Sequence, residues 1–261
     1  MSAVLIEARG LVKDFGSGHR AVDGVSFDIE SGTTFGLVGE SGSGKSTVAA
    51  LLLALERPTA GTVRFRGIDL AGLRPGALRR MRRHMQLVMQ DPVSALNRRK
   101  TVEQILRLPM SVHDILPAGL QRGRAIELLE MVGLTESHLA RFPHELSGGQ
   151  CQRVGIARAL AVSPEFLVLD ESVSSVDVVM QAQILNLLKS LQAQLGLTYL
   201  FVSHDLAVVR YMAPFIAVMQ AGTLVETGTR EQIFGAASEP YTRALIDAAP
   251  ASLAARHLAG A

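Results

Sequence analysis

A glycine-rich stretch near the N-terminus could hold the phosphates of a nucleotide. The segment "GESGSGKST", residues 39–47, fits the pattern G-x-x-x-x-G-K-[ST] and lies between a strand-like and a helix-like run. Its backbone N–H groups could wrap a β-phosphate, Lys45 could bind the β- and γ-phosphates, and the Ser46 hydroxyl could bind Mg²⁺. An ordinary glycine-rich turn is the alternative. The predicted ATP contacts are Gly39, Ser41, Gly42, Gly44, Lys45, Ser46 and Thr47.

Polar residues follow the ends of three other strand-like runs. "FLVLDE" ends in Asp170 and Glu171, at the edge where the functional groups of α/β sheets collect. Asp170 could complete the Mg²⁺ shell, and Glu171 could polarise an attacking water. His204 and Gln90 also end such runs, and the Gln90 amide could reach the metal or its water. Each of these assignments has a structural alternative. Asp170 and Glu171 could be an acidic helix cap, His204 a structural histidine and Gln90 a surface glutamine.

"LSGGQ", residues 146–150, is a second candidate phosphate cradle. It reads as a turn that opens a helix, where Ser147 and the N–H groups of Gly148 and Gly149 could grip a γ-phosphate. Within one chain, however, that phosphate would already lie in the first loop. A head-to-tail pair of chains solves this problem if the segment, which ends in Gln150, covers the partner's nucleotide. ATP would then favour the closed pair, and hydrolysis would release it.

Composition excludes several classes of protein. The 261 residues carry a net charge of +2, so there is no bulk electrostatic case for binding nucleic acid. A single cysteine, Cys151, excludes a disulfide framework and a cysteine-ligated metal within the chain. We favour a buried structural thiol over a redox switch. The run "RRMRRH", residues 79–84, could suggest RNA or lipid headgroups, but a solvated helix face is the favoured interpretation.

Apolar runs are too short for a membrane span. The longest, near residues 48–55 and 211–219, fall far below the roughly 20 residues that a spanning helix needs. The N-terminal "MSAVLIEARG" lacks the features of a signal peptide. We therefore expect a chain that is soluble by itself, so that other chains would supply any membrane spans.

Hydrophobic patterns predict an α/β fold with a parallel sheet. "FLVLD" and "TYLFVSHD" read as buried strands around a long helix that Gly196 would end, which is the βαβ rhythm. Further strands are predicted at 4–8, 21–29, 33–39, 215–220 and 222–228, a strand followed by a turn at 63–70, and a helix at 46–56. The predicted domain covers 1–248, with a core of 1–94 and 161–235, an all-helical insertion at 95–160 and a short tail at 249–261.

The order and spacing of these motifs resemble the ATP-binding subunits of ABC transporters, through about residue 248. The resemblance implies a P-loop NTPase (RecA-like) core with a mainly parallel sheet, an antiparallel β subdomain and an all-helical insertion, with ATP and Mg²⁺ as cofactors. It also implies that Phe15 stacks on adenine, that Asp177 signals between the two sites and that His204 senses the γ-phosphate. The surface around Gln90 would couple to membrane partners.

A narrower resemblance points to the peptide/nickel importer branch, through "MQDPVSALNRRKTVEQIL", "RFPHELSGGQ" and "EPYTRALI". "NRRKTVEQILRLPM" and "DESVSSVDVVMQAQIL" are most similar to the second ATP-binding subunit of nickel importers. Import of nickel or another metal or metal chelate is thus the first expectation, and import of di- or oligopeptides the alternative. The sequence departs from the usual proline at Arg98, and from the usual proline and leucine at Ser172 and Val176.

The resemblance also implies a set of partners. These are two membrane-spanning permease subunits, a second ATP-binding subunit (a different chain or a second copy) and an extracytoplasmic solute-binding protein. The chain would lie on the cytoplasmic face of the inner or plasma membrane and bind no nucleic acid. A soluble ABC ATPase acting on DNA or ribosomes is a remote alternative. A small-molecule kinase is less favoured still, because it has no use for "LSGGQ".

Overall fold

The computed structural model describes residues 3–16, 18, 20–89, 91, 94–171 and 178–248. Predictions for Gln90, Asp177, Ser172, Val176 and the tail at 249–261 therefore lie outside the described residues. The strands are β1 (Val4–Asp14), β2 (Arg20–Glu30), β3 (Thr34–Val38), β4 (Ala60–Phe65), β5 (Ile68–Asp69), β6 (Met85–Val88), β7 (Phe166–Asp170), β8 (Thr198–Ser203), β9 (Phe215–Gln220) and β10 (Thr223–Thr229). The helices are α1 (Lys45–Leu52), α2 (Pro75–Arg82), α3 (Val102–Val112), α4 (Gln121–Met131), α5 (Gly148–Leu160), α6 (Val178–Leu195), α7 (Leu206–Met212), α8 (Arg230–Ala236) and α9 (Pro240–Ala248).

Two sheets are formed by the described residues. The larger has the order β10-β9-β3-β8-β7-β6, parallel except for the antiparallel edge strand β10. Every residue of β3 and β8 is buried, as expected for apolar strands covered on both faces. The smaller sheet is antiparallel, in the order β2-β1-β4-β5. This mixed α/β architecture agrees with the predicted fold class, and β7-α6-β8 is the predicted βαβ unit.

Two apolar cores lie on opposite faces of the larger sheet, because side chains alternate along its strands. In β8, Tyr199 and Phe201 join a core shared with the helical segment α3 to α5. Leu200 and Val202 join a second core shared with α1 and the antiparallel sheet. The central strands thus carry their C-terminal loops on a scaffold that is fixed from both sides.

Most predicted elements agree with the structure to within two residues, and larger differences occur in three places. The first strand, predicted at 4–8, continues to Asp14, because shifts in its register break the apolar alternation after Ala8. The segment 63–70, predicted as a strand followed by a turn, contains the end of β4, a turn in which Arg66 and Gly67 have φ of 52° and 73°, and the short strand β5. The helix predicted at 46–56 ends at Leu52.

Between β6 and β7 the described residues form helices and turns and contain no strand, as the sequence indicated. Arg98 lies inside a turn that Lys100 N–H closes on Asn97 O over 3.0 Å, at a position where proline also fits. The basic helix α2 buries none of its residues, which agrees with a solvated face. Among the described residues, no helix combines the length and apolar character that a membrane crossing requires.

Candidate functional site

The phosphate loop connects β3 to α1 and is shaped by close contacts at two glycines. A Cβ at Gly39 would lie 2.1 Å from Met219 O, and one at Gly44 would lie 2.2 Å from Ala21 O. Both glycines also have positive φ, of 152° and 106°, which side chains rarely adopt. The loop therefore requires glycine at these positions for both steric and conformational reasons.

Lys45 is held inside the loop and is only 5% exposed. Its Nζ donates to Gly39 O over 2.8 Å, to Glu40 O over 2.7 Å and to Ser43 Oγ over 3.3 Å. Burial lowers the pKa of Lys45, while the carboxylates of Glu171 and Asp170 oppose that shift. An ammonium group seated here, with partners on one side, can add an anionic phosphate on the other.

Ser46 and Asp170 meet at the mouth of the loop. Ser46 Oγ donates to Asp170 Oδ1 over 3.4 Å. Burial raises the pKa of Asp170, and the hydrogen bond from Ser46 partly offsets that rise. A hydroxyl and a carboxylate suit Mg²⁺, which usually completes its shell with water and substrate phosphates. The described residues contain no cluster of three or more His, Cys, Asp or Glu side chains that could bind a metal without such help.

Glu171 occupies a constrained position after β7. Its φ of 46° is unusual for a residue with a side chain, and its N–H donates to Val202 O over 2.9 Å. This geometry directs Glu171 Oε1 to within 3.1 Å of His204 Nδ1 at the end of the neighbouring strand. The carboxyl ends of β7 and β8 thus bring together two residues that are 33 positions apart.

A cleft of about 300 Å³ lies where these groups converge. It is lined by Ala21, Ser41, Gly42, Gly44, Lys45, Ser46, Thr47 and Glu171. Most of the residues predicted for ATP binding are therefore found on one surface, and Glu171 faces the same space. Phe15 lies outside this lining, but the residue is 59% exposed, which leaves its ring accessible for stacking against a base. Lys13 Nζ lies 4.8 Å from the centre of that ring.

The signature segment, Leu146–Gln150, begins α5. Ser147 Oγ accepts from Gln150 N over 3.2 Å, and Gln150 Oε1 accepts from Ser147 N over 3.0 Å. Ser147 and Gly148 are exposed, whereas a Cβ at Gly149 would lie 2.5 Å from Met180 Sδ of α6. The Gln150 amide oxygen therefore caps the helix within its own chain. Among the described residues, none of the signature segment lines the cleft.

Comparisons with known proteins agree with this geometry. A family profile described as ABC transporter matches residues 22–174. The chain belongs to the ABC transporter family. Its fold matches the ATP-binding cassette MJ0796, solved as a dimer bound to ADP and Pi, with a TM-score of 0.78, 30% identity and coverage of 87% of this chain and 99% of that one. The predicted fold class is confirmed, and this ABC transporter chain is an ATP-binding ATPase whose hydrolysis is coupled to transport.

Relatives of this ABC transporter chain include proteins named for peptide transport. It is 44% identical over 253 residues to the dipeptide transport ATP-binding protein DppF of Lactococcus lactis, covering 94% of this chain and 81% of that one. It is 43% identical over 251 residues to the oligopeptide transport ATP-binding protein OppF of Streptococcus mutans, covering 94% and 82%.

An apolar groove of about 560 Å³ on this ABC transporter chain was not predicted from the sequence. It lies between the larger sheet and the helical segment, and its lining includes Leu55, Met89, Leu108 and Val112. These four side chains are each more than 40% exposed. Leu55 and Met89 belong to other parts of the sequence than α3. Only the spacing of Leu108 and Val112, which places them on one face of α3, could have indicated the groove.

Cys151 is fully buried, and its Sγ donates to Pro143 O over 3.4 Å. Burial raises the pKa of the Cys151 thiol. A protonated, inaccessible thiol supports the structural interpretation over the redox switch.

Proposed function

We propose that this chain hydrolyses ATP to drive the import of di- or oligopeptides. One observation carries the catalytic part: Lys45, Ser46 and Glu171 line one cleft, and Asp170 and His204 each contact one of these residues. Lys45 would bind the β- and γ-phosphates, and Ser46 and Asp170 would hold Mg²⁺, which would screen phosphate charge.

Glu171 is the proposed general base for the attacking water. A carboxylate at this position can accept the proton from water, and the contact with His204 Nδ1 fixes its orientation. His204 is also the proposed sensor of the γ-phosphate. Phe15 is proposed to stack on adenine because it directly follows β1 and is exposed. Gln90 and Asp177 lie outside the described residues. Gln90 is proposed to contact the Mg²⁺ or its water, and Asp177 is proposed to signal between the two ATP sites.

The signature segment is proposed to act on the nucleotide of a second ATP-binding subunit. Ser147 and Gly148 are exposed and lie outside the cleft lining of their own chain, which supports an action in trans. The similar cassette MJ0796 was solved as a dimer with ADP and Pi. In this arrangement the first loop of one chain and Ser147 of the other would enclose one ATP. The second subunit is either a different chain or another copy of this one.

Peptides are the proposed cargo, because relatives named for dipeptide and oligopeptide transport match 94% of this chain. The similarity to nickel importers that the sequence suggested gains no support from these relatives, so the original alternative becomes the main proposal.

We also infer partners from the family. Membrane permease subunits would supply the spans that the described residues lack, and an extracytoplasmic binding protein would deliver the peptide. The apolar groove beside Met89 is the proposed docking surface for the permease, which would place the chain on the cytoplasmic face of the membrane. Exposed apolar surface of this kind commonly marks a protein interface.

Uptake in cells tests the cargo. A strain lacking the gene is supplied with the wild-type gene or with Lys45→Ala, and uptake of labelled di- to pentapeptides and of ⁶³Ni²⁺ is measured. We expect peptide uptake to fall in the deletion strain and to recover only with the wild-type gene. Unchanged peptide uptake with a loss of nickel uptake would contradict the peptide proposal and favour the hypothesis that the cargo is nickel or another metal.

A further inference from the structure

The C-terminal helix α9 contacts the phosphate loop through one side chain. Tyr241, in the first turn of α9, accepts a hydrogen bond at its hydroxyl from Glu40 N–H over 3.3 Å. The two residues are 201 positions apart, and Glu40 is the second residue of the loop. Tyr241 also belongs to the "EPYTRALI" segment, to which the hydrolysis mechanism assigns no role.

Glu40 N–H and Gly39 O belong to the same planar peptide group, so fixing one end of that group fixes the other. Its oxygen is one of the two loop carbonyls to which the Lys45 ammonium donates, over 2.8 Å. A continuous chain of hydrogen bonds therefore runs from Tyr241 through this peptide to Lys45. Each hydrogen bond in such a chain polarises and strengthens the next.

The Tyr241 hydroxyl is held in place by the docking of α9. Glu226 of β10 accepts hydrogen bonds from Ser238 N over 2.7 Å and from Ser238 Oγ over 2.9 Å, in the segment just before the helix. Tyr241, Leu245 and Ile246 pack against the core that includes β8. The hydroxyl thus reaches the loop from a helix that is anchored at its start and along its apolar face.

We propose that Tyr241 is a positioning residue for nucleotide binding: its hydroxyl orients the Gly39–Glu40 peptide that seats Lys45, and so couples the docking of α9 to the affinity of the loop for nucleotide. A preorganised loop loses less conformational freedom when phosphate binds. By linkage, nucleotide in the loop must in turn favour the docked helix. The inference rests on the ATP site of the proposed function, and it does not depend on the identity of the cargo.

The substitution Tyr241→Phe removes the hydroxyl and keeps the ring that packs on the core. We expect the Kd for MgADP and for MgATP, measured by calorimetry on the full chain, to rise about three- to tenfold, the range that corresponds to one neutral hydrogen bond. Tyr211→Phe is the matched control, because the Tyr211 hydroxyl also makes one hydrogen bond away from the loop, which it donates to Asn186 Oδ1 over 2.5 Å. The control should bind both nucleotides like wild type, and both variants should keep the wild-type melting temperature within about 2 °C.

Hydrogen exchange provides a readout that a purely structural role would not move. In wild type, MgADP should slow amide exchange both in the loop peptide and in residues 240–248. In Tyr241→Phe the slowing should persist in the loop at saturating MgADP but be lost in the helix. Wild-type affinity in Tyr241→Phe, or equal protection of α9 in both proteins, overturns the proposal. A wild-type chain that bound no nucleotide would instead contradict the ATP site itself.

Discussion

The phosphate loop and the signature segment both bring glycine N–H groups to the start of a helix, yet their surroundings differ. The loop before α1 surrounds a buried Lys45 and faces Ser46 and Glu171 across a cleft. The signature segment exposes Ser147 and Gly148 and has its Gln150 amide engaged in capping its own helix. The loop gathers its phosphate-binding groups and a carboxylate around one cleft within the chain, whereas the exposed residues of the signature segment lie outside the lining of that cleft. On the proposed function, the first region binds nucleotide and the second is needed only for its hydrolysis, so substitutions should separate the two steps.

The largest expected effect comes from removing the lysine of the phosphate loop. Lys45→Ala removes the ammonium that the loop seats, so we expect MgATP binding to weaken roughly 10- to 100-fold, as for loss of a charged hydrogen-bond donor, and hydrolysis to be lost with it. Calorimetry and phosphate release measure the two effects. Lys189→Ala is the control, because Lys189 Nζ lies over the Tyr211 ring, outside the cleft. Near-normal binding in Lys45→Ala would show that the loop does not need its lysine.

Blocking the signature segment should separate the two steps. Ser147→Arg should leave MgATP binding by a single chain within about twofold, yet lower phosphate release about 100-fold or more, as for loss of a transition-state donor. In a Glu171→Gln background, ATP should produce a dimer by light scattering, and adding Ser147→Arg should abolish it. Ser190→Arg, at an exposed position on α6, controls for the added charge. Normal turnover by Ser147→Arg would remove the case for action in trans.

A smaller effect is expected from two carboxylates whose pKa values shift in opposite directions, Asp170 and Glu226. Burial raises the pKa of Asp170, so the ionised form is disfavoured in the folded chain, and the free energy of unfolding falls as pH rises from the ordinary carboxyl range through the raised value. Asp170→Asn should therefore raise the melting temperature of the nucleotide-free chain at pH 7 by about 2 °C or more, while weakening Mg²⁺-dependent ATP binding.

Glu226 supplies the opposite case. Burial alone would raise the pKa of Glu226, but the hydrogen bonds that it accepts outweigh burial and lower it. Its ionised form therefore stabilises the fold, and this contribution is lost as pH falls through the lowered pKa. Glu226→Gln should lower the melting temperature at pH 7 and change it little at pH 3. For the preceding prediction, a lower melting temperature of Asp170→Asn at pH 7 would contradict the expected destabilising effect of the buried Asp170 carboxylate.

The sequence predicted the elements well where one local pattern specifies each of them. The strands 166–170 and 215–220 agree with β7 and β9 residue for residue, because continuous apolar runs with clear ends specify buried strands. The first strand was predicted too short, because irregular register after Ala8 interrupts the alternation on which that interpretation depends. Local patterns thus give the elements, and departures from regular geometry limit the agreement.

The residues of the candidate site could be predicted because they also belong to local patterns. Contacts between residues far apart in the sequence could not. Lys45, Ser46 and Glu171 belong to motifs whose chemistry can be read from adjacent residues. The bond from Glu40 to Tyr241 joins positions 201 apart, and no local pattern indicates it. The groove likewise depends on packing between α3 and the larger sheet. Such features arise from the tertiary structure, so the sequence of one chain does not reveal them.

The position of β3 has a consequence for how the chain matures. Its neighbours are β8 and β9, and Gly36 pairs with both Phe201 and Ile216. A chain emerges from the ribosome with its N-terminus first, so the strand that carries the phosphate loop has both neighbours only after Gln220 has been made. The β1–β2 hairpin needs no such wait. Competence to bind ATP therefore follows the synthesis of β8 and β9, and it reports that the centre of the larger sheet has formed.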